Sequence, residues 1–198
     1  MPKIVNHDQR REHIAEIVAD MLATVGVENT TIREISRKSG YSRGFIEHYF
    51  HNKEELVSNA LRWINEQSLA RVEKKVKDLK GLVALRAINE VTLPINDQTR
   101  QEWKVRMQFW GLAVVNPQHK KEQTRRIELA EEIYLKYLKE AQALGEIPPD
   151  ANLERIAHNL LHRIYGLSCN AILRPNYFTR QRQLDALDYV MKEIVKAR

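Results

Sequence analysis

The stretch that most constrains this chain runs over residues 30–56, TTIREISRKSGYSRGFIEHYFHNKEEL. It places two short helices on either side of a tight turn and starts a third straight after. Thr31 stands where it caps the first helix, and Glu34, three residues on, where it closes a capping box. Ile32 and Ile35 give that helix a buried face. Gly40 sits at the sharp turn, where glycine takes positive φ without steric cost. Ser42 is placed to cap a second helix over 43–49. Asn52 and Glu55 form a second capping box opening the next helix. Two short helices about a glycine turn make a helix-turn-helix, whose second helix usually enters the DNA major groove.

The residues over 40–56, G-Y-S-R-G-F-I-E-H-Y-F-H-N-K-E-E-L, resemble the recognition segment of TetR-type repressors. The shared features are the glycine turn, a small or polar start, an aromatic-His-aromatic ending and then N-K-E-x-L. A first helix over 8–26 and the following V-E-N-T-T-I-R-E-I-S fit the same family, so the resemblance covers roughly the first sixty residues. The H-Y-F order and the run R-x-E-W-x-V-x-x-x-F-W over 100–110 look most like the BetI branch, which responds to choline.

In that resemblance Thr31, Arg33, Tyr41, Ser42, Arg43, Gly44, Phe45, His48, Tyr49 and Lys53 match positions that touch DNA. Their chemistry agrees. Arginine pairs bidentately with the O6 and N7 edge of guanine, so Arg33 and Arg43 are the candidates for base reading. Thr31, Ser42, Tyr49 and His48 have donors for phosphate oxygens. Lys53 opens helix four, where a helix dipole end and a positive charge together suit a phosphate. Gly44 lets the backbone approach closely, and Phe45 is a contact for a thymine methyl. Glu47 departs from the pattern, since many members carry a tyrosine there facing a phosphate. It is expected to turn towards Arg43 or to read a cytosine amino group, and it is left out of the site. One of Tyr49 and Phe50 is expected in the core of the head.

Charge alone would not single out this segment. The chain carries a formal net charge of +6, which hints at a polyanionic partner. Yet residues 1–62 hold nine basic and nine acidic side chains, so the surplus lies further on. The placement of Arg33, Arg43 and Lys53 on one motif is the informative feature.

The helical pattern continues on both sides of this segment. Ile14, Val18, Met21, Leu22 and Val25 mark helix one over 8–25, ended by Gly26. Helix four, over 53–79, carries Leu56, Ala60, Leu61, Ile64 and Val72 inward. Further helices are expected over 82–92, 97–115, 118–144, 152–173 and 179–196, broken at Pro94, Asn116-Pro117, Pro148-Pro149 and Pro175. The fold expected is all-α. It has an N-terminal three-helix helix-turn-helix head over 1–52, helix four as a link, and a larger helical ligand-binding and dimerisation body over 80–198. One cysteine, Cys169, excludes a disulfide framework within the chain and a multi-cysteine zinc site. His158 and His162 stand four apart, but no zincin pattern accompanies them, so no metal or cofactor is expected. No apolar run approaches a membrane span, and the N-terminus lacks an apolar signal core, so the cytoplasm is the expected location.

Bodies of this family usually dimerise through their last two helices. Here those helices carry Ile156, Leu160, Ile164, Leu167 and Ala171, then Leu184, Leu187, Met191 and Ile194, stripes that suit a monomer core or a dimer seam alike. A homodimer is favoured, because two heads meet two halves of a palindromic double-stranded operator. Trp103, Trp110, Tyr134, Tyr137 and Tyr165 are candidate walls for a small-molecule effector. The BetI resemblance implies a quaternary ammonium held by cation–π attraction. Lys104 and Arg106 point instead to an anion, and the class stays open at this level. The expected function is sequence-specific transcriptional regulation, with a repressor released by its effector, and not enzymatic catalysis. The competing readings are a helical small-molecule-binding protein or enzyme, and a non-specific DNA binder.

Overall fold

The computed structural model describes residues 7–195, and among these it contains nine helices and no strand. They are α1 His7–Asn29, α2 Ile32–Ser39, α3 Arg43–Tyr49, α4 Lys53–Val76, α5 Gly81–Thr92, α6 Asp97–Val115, α7 Pro117–Ala143, α8 Leu153–Leu173 and α9 Arg180–Val195.

Local chemistry explains the boundaries. Thr31 Oγ1 accepts from the Glu34 N–H at 3.3 Å, Ser42 Oγ from Phe45 at 3.2 Å and Asn52 Oδ1 from Glu55 at 2.7 Å, so α2, α3 and α4 are capped as expected. The two expected capping boxes do not close. Glu34 turns outward to Arg37 Nε at 2.9 Å, and Glu55 accepts from the His51 N–H at 2.9 Å instead of from Asn52. A charged donor outcompetes a backbone N–H for the first carboxylate. A complete capping box forms elsewhere, between Asn96 and Thr99 at the start of α6. Gly40 closes α2 in the left-handed region, with φ 73°.

Helix one breaks at its expected end, Gly26. Hydrogen bonding carries α1 to Asn29, but Gly26 inside it is non-helical, with φ 81° and ψ 171°. Ile14, Val18, Met21 and Leu22 are buried, whereas Val25 is 46% exposed where the helix breaks.

Two apolar cores divide the chain, and α4 serves both. Its first half, with Leu56, Ala60, Leu61 and Ile64, packs with Ile14, Val18, Leu22, Ile35, Ile46 and Phe50. Its second half, with Val72 and Val76, packs against Ile88, Leu138, Leu160 and Ile164. Helix α6 also reaches the first core, through Val105, Phe109 and Ala113. Gln108 on α6 spans the break in α1, accepting from the Val27 N–H at 2.9 Å and donating to the Leu22 carbonyl at 2.6 Å. Buried backbone groups need partners, and this side chain supplies two of them at a point where the helix cannot.

The stripes on α8 and α9 belong largely to the monomer core. Ile156, Leu160, Ile164, Ala171, Leu187, Met191 and Ile194 are all buried within one chain. The large apolar side chains that these two helices leave exposed are Leu173 at 69%, Tyr189 at 64% and Val195 at 51%.

Candidate nucleic-acid interface and ligand cavity

The helix-turn-helix holds its polar residues outward. Ile35, Ile46 and Phe50 are fully buried and fix α2 and α3 against α1 and α4. Thr31, Arg33, Ser42, Arg43, Gly44 and His48 are exposed around them. Of the two adjacent aromatics, Phe50 takes the core position and Tyr49 stays half-buried.

Tyr41, Phe45 and Tyr49 form an aromatic row along α3, with centroids 4.7 and 4.9 Å apart. The Arg10 guanidinium lies 5.3 Å from the centre of the Phe45 ring. This arginine was not among the expected residues, because nothing on α1 announces the ring across from it. His48 meets Tyr49 edge-on at 5.4 Å. A Cβ added at Gly44 would meet nothing within 4 Å, so the fold itself does not demand glycine there. Its bareness suits a close approach from outside.

Arg43 and Glu47 pair on the exposed face, Nε to Oε1 at 2.8 Å. The carboxylate thus turns towards arginine, one of the two expected orientations. Lys53 reaches back to the Glu28 carbonyl at 3.5 Å, which holds its ammonium near the junction of α1 and α4.

A cavity of about 520 Å³ opens among α4, α5, α6, α7 and α8. Trp103, Trp110, Tyr134 and Tyr165 line it. Tyr137, expected with them, lies one turn beyond Tyr134, buried in the body core. The polar ends of two of the lining aromatics are already satisfied. Trp103 Nε1 donates to the Thr92 carbonyl at 2.7 Å, and the Tyr134 hydroxyl donates to Asn89 Oδ1. Burial raises the Tyr134 and Tyr165 pKa values above the ordinary tyrosine value, so both face the cavity as neutral groups.

Among the polar residues on this wall that sequence reasoning passed over are Asn65, Arg126 and Glu122. For Arg126 a signal was present, of the kind Arg106 already gave. Arg106 stands in helical register between Trp103 and Trp110, and Arg126 in register with Ala130 and Ile133. A cation set into an apolar stripe is unusual. Burial lowers the pKa of both guanidiniums below the ordinary arginine value, opposed by Glu102 at Arg106 and by Glu122 at Arg126.

Comparison with known proteins decides the family. Residues 19–60 match the DNA-binding segment of bacterial regulatory proteins of the tetR family, and residues 83–196 match the C-terminal domain of BetI-type transcriptional repressors. The chain belongs to the TetR family. Among curated relatives of this TetR-family chain, PksA of Bacillus subtilis is 27% identical over 92% of this chain and 88% of its own length. BetI of Pectobacterium carotovorum is 24% identical over 99% of this chain and 100% of its own. Both bear the description HTH-type transcriptional regulator. A transcriptional regulator from Rhodococcus superposes with a TM-score of 0.82 at 26% identity, over 94% of this chain and 96% of that one. A regulator from Saccharomonospora viridis, solved with choline, superposes with a TM-score of 0.87 at 20% identity, over 94% and 97%. This TetR-family protein is a DNA-binding transcriptional regulator with an all-α fold. No helix among the described residues is long and apolar enough to cross a membrane.

Proposed function

We propose that this protein is a homodimeric repressor that grips a palindromic operator through α2 and α3 and leaves it when a small molecule fills the body cavity. The observation that carries this reading is the double duty of α4. Leu56 to Ile64 complete the core of the head. Asn65, Ser68, Leu69 and Val72, the next two turns of the same helix, line the cavity. A ligand that binds one seat of α4 better than another biases where the head stands. In a dimer that sets the separation of two recognition helices, which must match two half-sites.

Arg33 and Arg43 read bases, Thr31, Ser42, His48, Tyr49 and Lys53 hold phosphates, and Gly44 permits the approach. Tyr41 and Phe45 stiffen α3 through the aromatic row, and the Phe45 edge is available to a thymine methyl. The outer faces of α8 and α9 form the dimer seam, where Leu173 and Tyr189 are exposed. Such a protein acts in the cytoplasm, where its DNA lies.

Selection from random duplexes, with purified protein at physiological salt, tests the reading. The expected product is an enriched palindrome. Equal retention of all sequences, with a steep salt dependence, would identify a non-specific binder instead.

A further inference from the structure

The orphaned polar atoms of the body cavity share one character: all are donors. Asn65 Nδ2, Arg106 Nη1 and Arg126 Nη1 are shut off from solvent and lack a hydrogen-bond partner. All three side chains line the same cavity. Glu102 Oε2 lies 3.6 Å from Arg106 Nη1, beyond hydrogen-bond reach, and Glu102 gives both oxygens to Arg71 at 2.8 and 2.7 Å. Arg126 donates Nη2 to Glu122 at 2.5 Å and keeps Nη1 unused. Buried donors without acceptors are costly, and whatever fills the space recovers that cost by bringing acceptors.

Charge points the same way. Arg62, Arg106, Arg125 and Arg126 face the cavity against Glu66 and Glu122, and Glu122 is already engaged by Arg126. The lining aromatics are not set out as a cage for a cation. Trp103, Trp110 and Tyr165 pack on one another, with ring centres 5.4 to 5.9 Å apart. The Arg106 guanidinium itself lies 5.6 Å from the Trp103 ring centre. A quaternary ammonium would compete with that guanidinium for the ring and sit beside like charge. Val72, Ile88, Leu161 and Ile164 give the cavity an apolar wall.

We propose that the ligand is an amphipathic anion whose carboxylate sits among Asn65, Arg106 and Arg126 and whose apolar body lies against Val72, Ile88, Leu161 and Ile164. This rests on the reading of the cavity as the effector site. A carboxylate offers about four acceptor positions, enough for the three orphaned donors.

Three probes of equal chain length separate the possibilities: octanoate, octyltrimethylammonium and octanol. Each is titrated into the full-length protein by calorimetry, with tryptophan fluorescence as a second readout. Octanoate is expected to bind at least about tenfold more tightly than octanol, and octyltrimethylammonium more weakly than either. Arg126→Met should cost octanoate about ten- to hundredfold and leave octanol unchanged. Arg106→Met should do the same. Arg126 keeps the test open if that variant fails to fold, because Glu122 beside it is partly exposed and Arg106 must also compensate Glu102. A preference for the ammonium, equal binding of octanol and octanoate, no binding of octanoate at millimolar concentration, or an indifferent Arg126→Met overturns the proposal. Operator binding, measured with and without octanoate, is the separate arm. Octanoate bound with operator affinity unchanged removes the effector reading and leaves the anion site standing. Specific operator binding with an ammonium preference does the reverse.

Discussion

Arg71 on α4 and Glu102 on α6 form a two-pronged ion pair, Nη1 to Oε1 at 2.8 Å and Nη2 to Oε2 at 2.7 Å. The Glu102 side chain is 7% exposed and also faces Arg106. Removing its charge leaves two partly enclosed guanidiniums without their carboxylate. Glu102→Gln should therefore destabilise the protein by about 3 kcal/mol, read as a lower midpoint in urea unfolding. An unchanged midpoint would mean that Arg71 finds another acceptor.

The break in α1 makes a second prediction. At φ 81° and ψ 171°, Gly26 occupies backbone space that L residues avoid, although an added Cβ would meet nothing closer than Gln108 Oε1 at 3.8 Å. Strain, not crowding, governs the site. Gly26→Ala is expected to lower stability by about 1–3 kcal/mol, followed as the thermal midpoint by circular dichroism. Gly44→Ala provides the contrast: the midpoint should hold or rise, since alanine suits helix α3 better than glycine, while operator affinity falls.

The Arg43–Glu47 pair sits in solvent, with side chains 74% and 42% exposed, and such pairs contribute about 0.3–0.5 kcal/mol at most. Breaking it is cheap, and in the proposed reading it frees the Arg43 guanidinium for DNA without a competing carboxylate. Glu47→Gln should raise operator affinity at least about twofold, with a steeper salt dependence, in anisotropy titrations across a salt series. An unmoved affinity would show that Arg43 abandons Glu47 on DNA in any case.

Tyr189 is 64% exposed on α9, on the face proposed for the dimer seam. Tyr189→Asp should weaken self-association by about tenfold or more in sedimentation equilibrium, with helicity unchanged. Retention of the dimer at equal strength would move the seam to another face.

Much of the fold was readable because its punctuation is local. Pro94, Asn116-Pro117 and Pro175 end or begin helices by chemistry confined to a few residues, and the observed boundaries fall close to them. The recognition segment was readable for the same reason. What escaped were choices between partners. Glu34 and Glu55 were expected to bond the backbone N–H of Thr31 and Asn52, and they bond Arg37 and the His51 N–H instead. Tyr134 and Tyr137 share an apolar face, and periodicity cannot say which of them borders a void. Gln108 reaches α1 across 81 residues of chain, a contact that no local rule anticipates. Arg126 could have been noticed as a charge out of place on its stripe, but its role depends on the cavity that four other helices help to enclose.

The reach of α6 into the first core bears on how such regulators can be recombined. Val105, Phe109 and Ala113 complete the apolar interior beneath the recognition helices, although they lie far along the chain from them. A hybrid protein spliced just before α4 would inherit an interior cut for a different lid. Exchanging operator specificity between relatives therefore calls for transplanting the inner surface of α6 together with the first three helices, or for reshaping those three side chains to suit the newcomer.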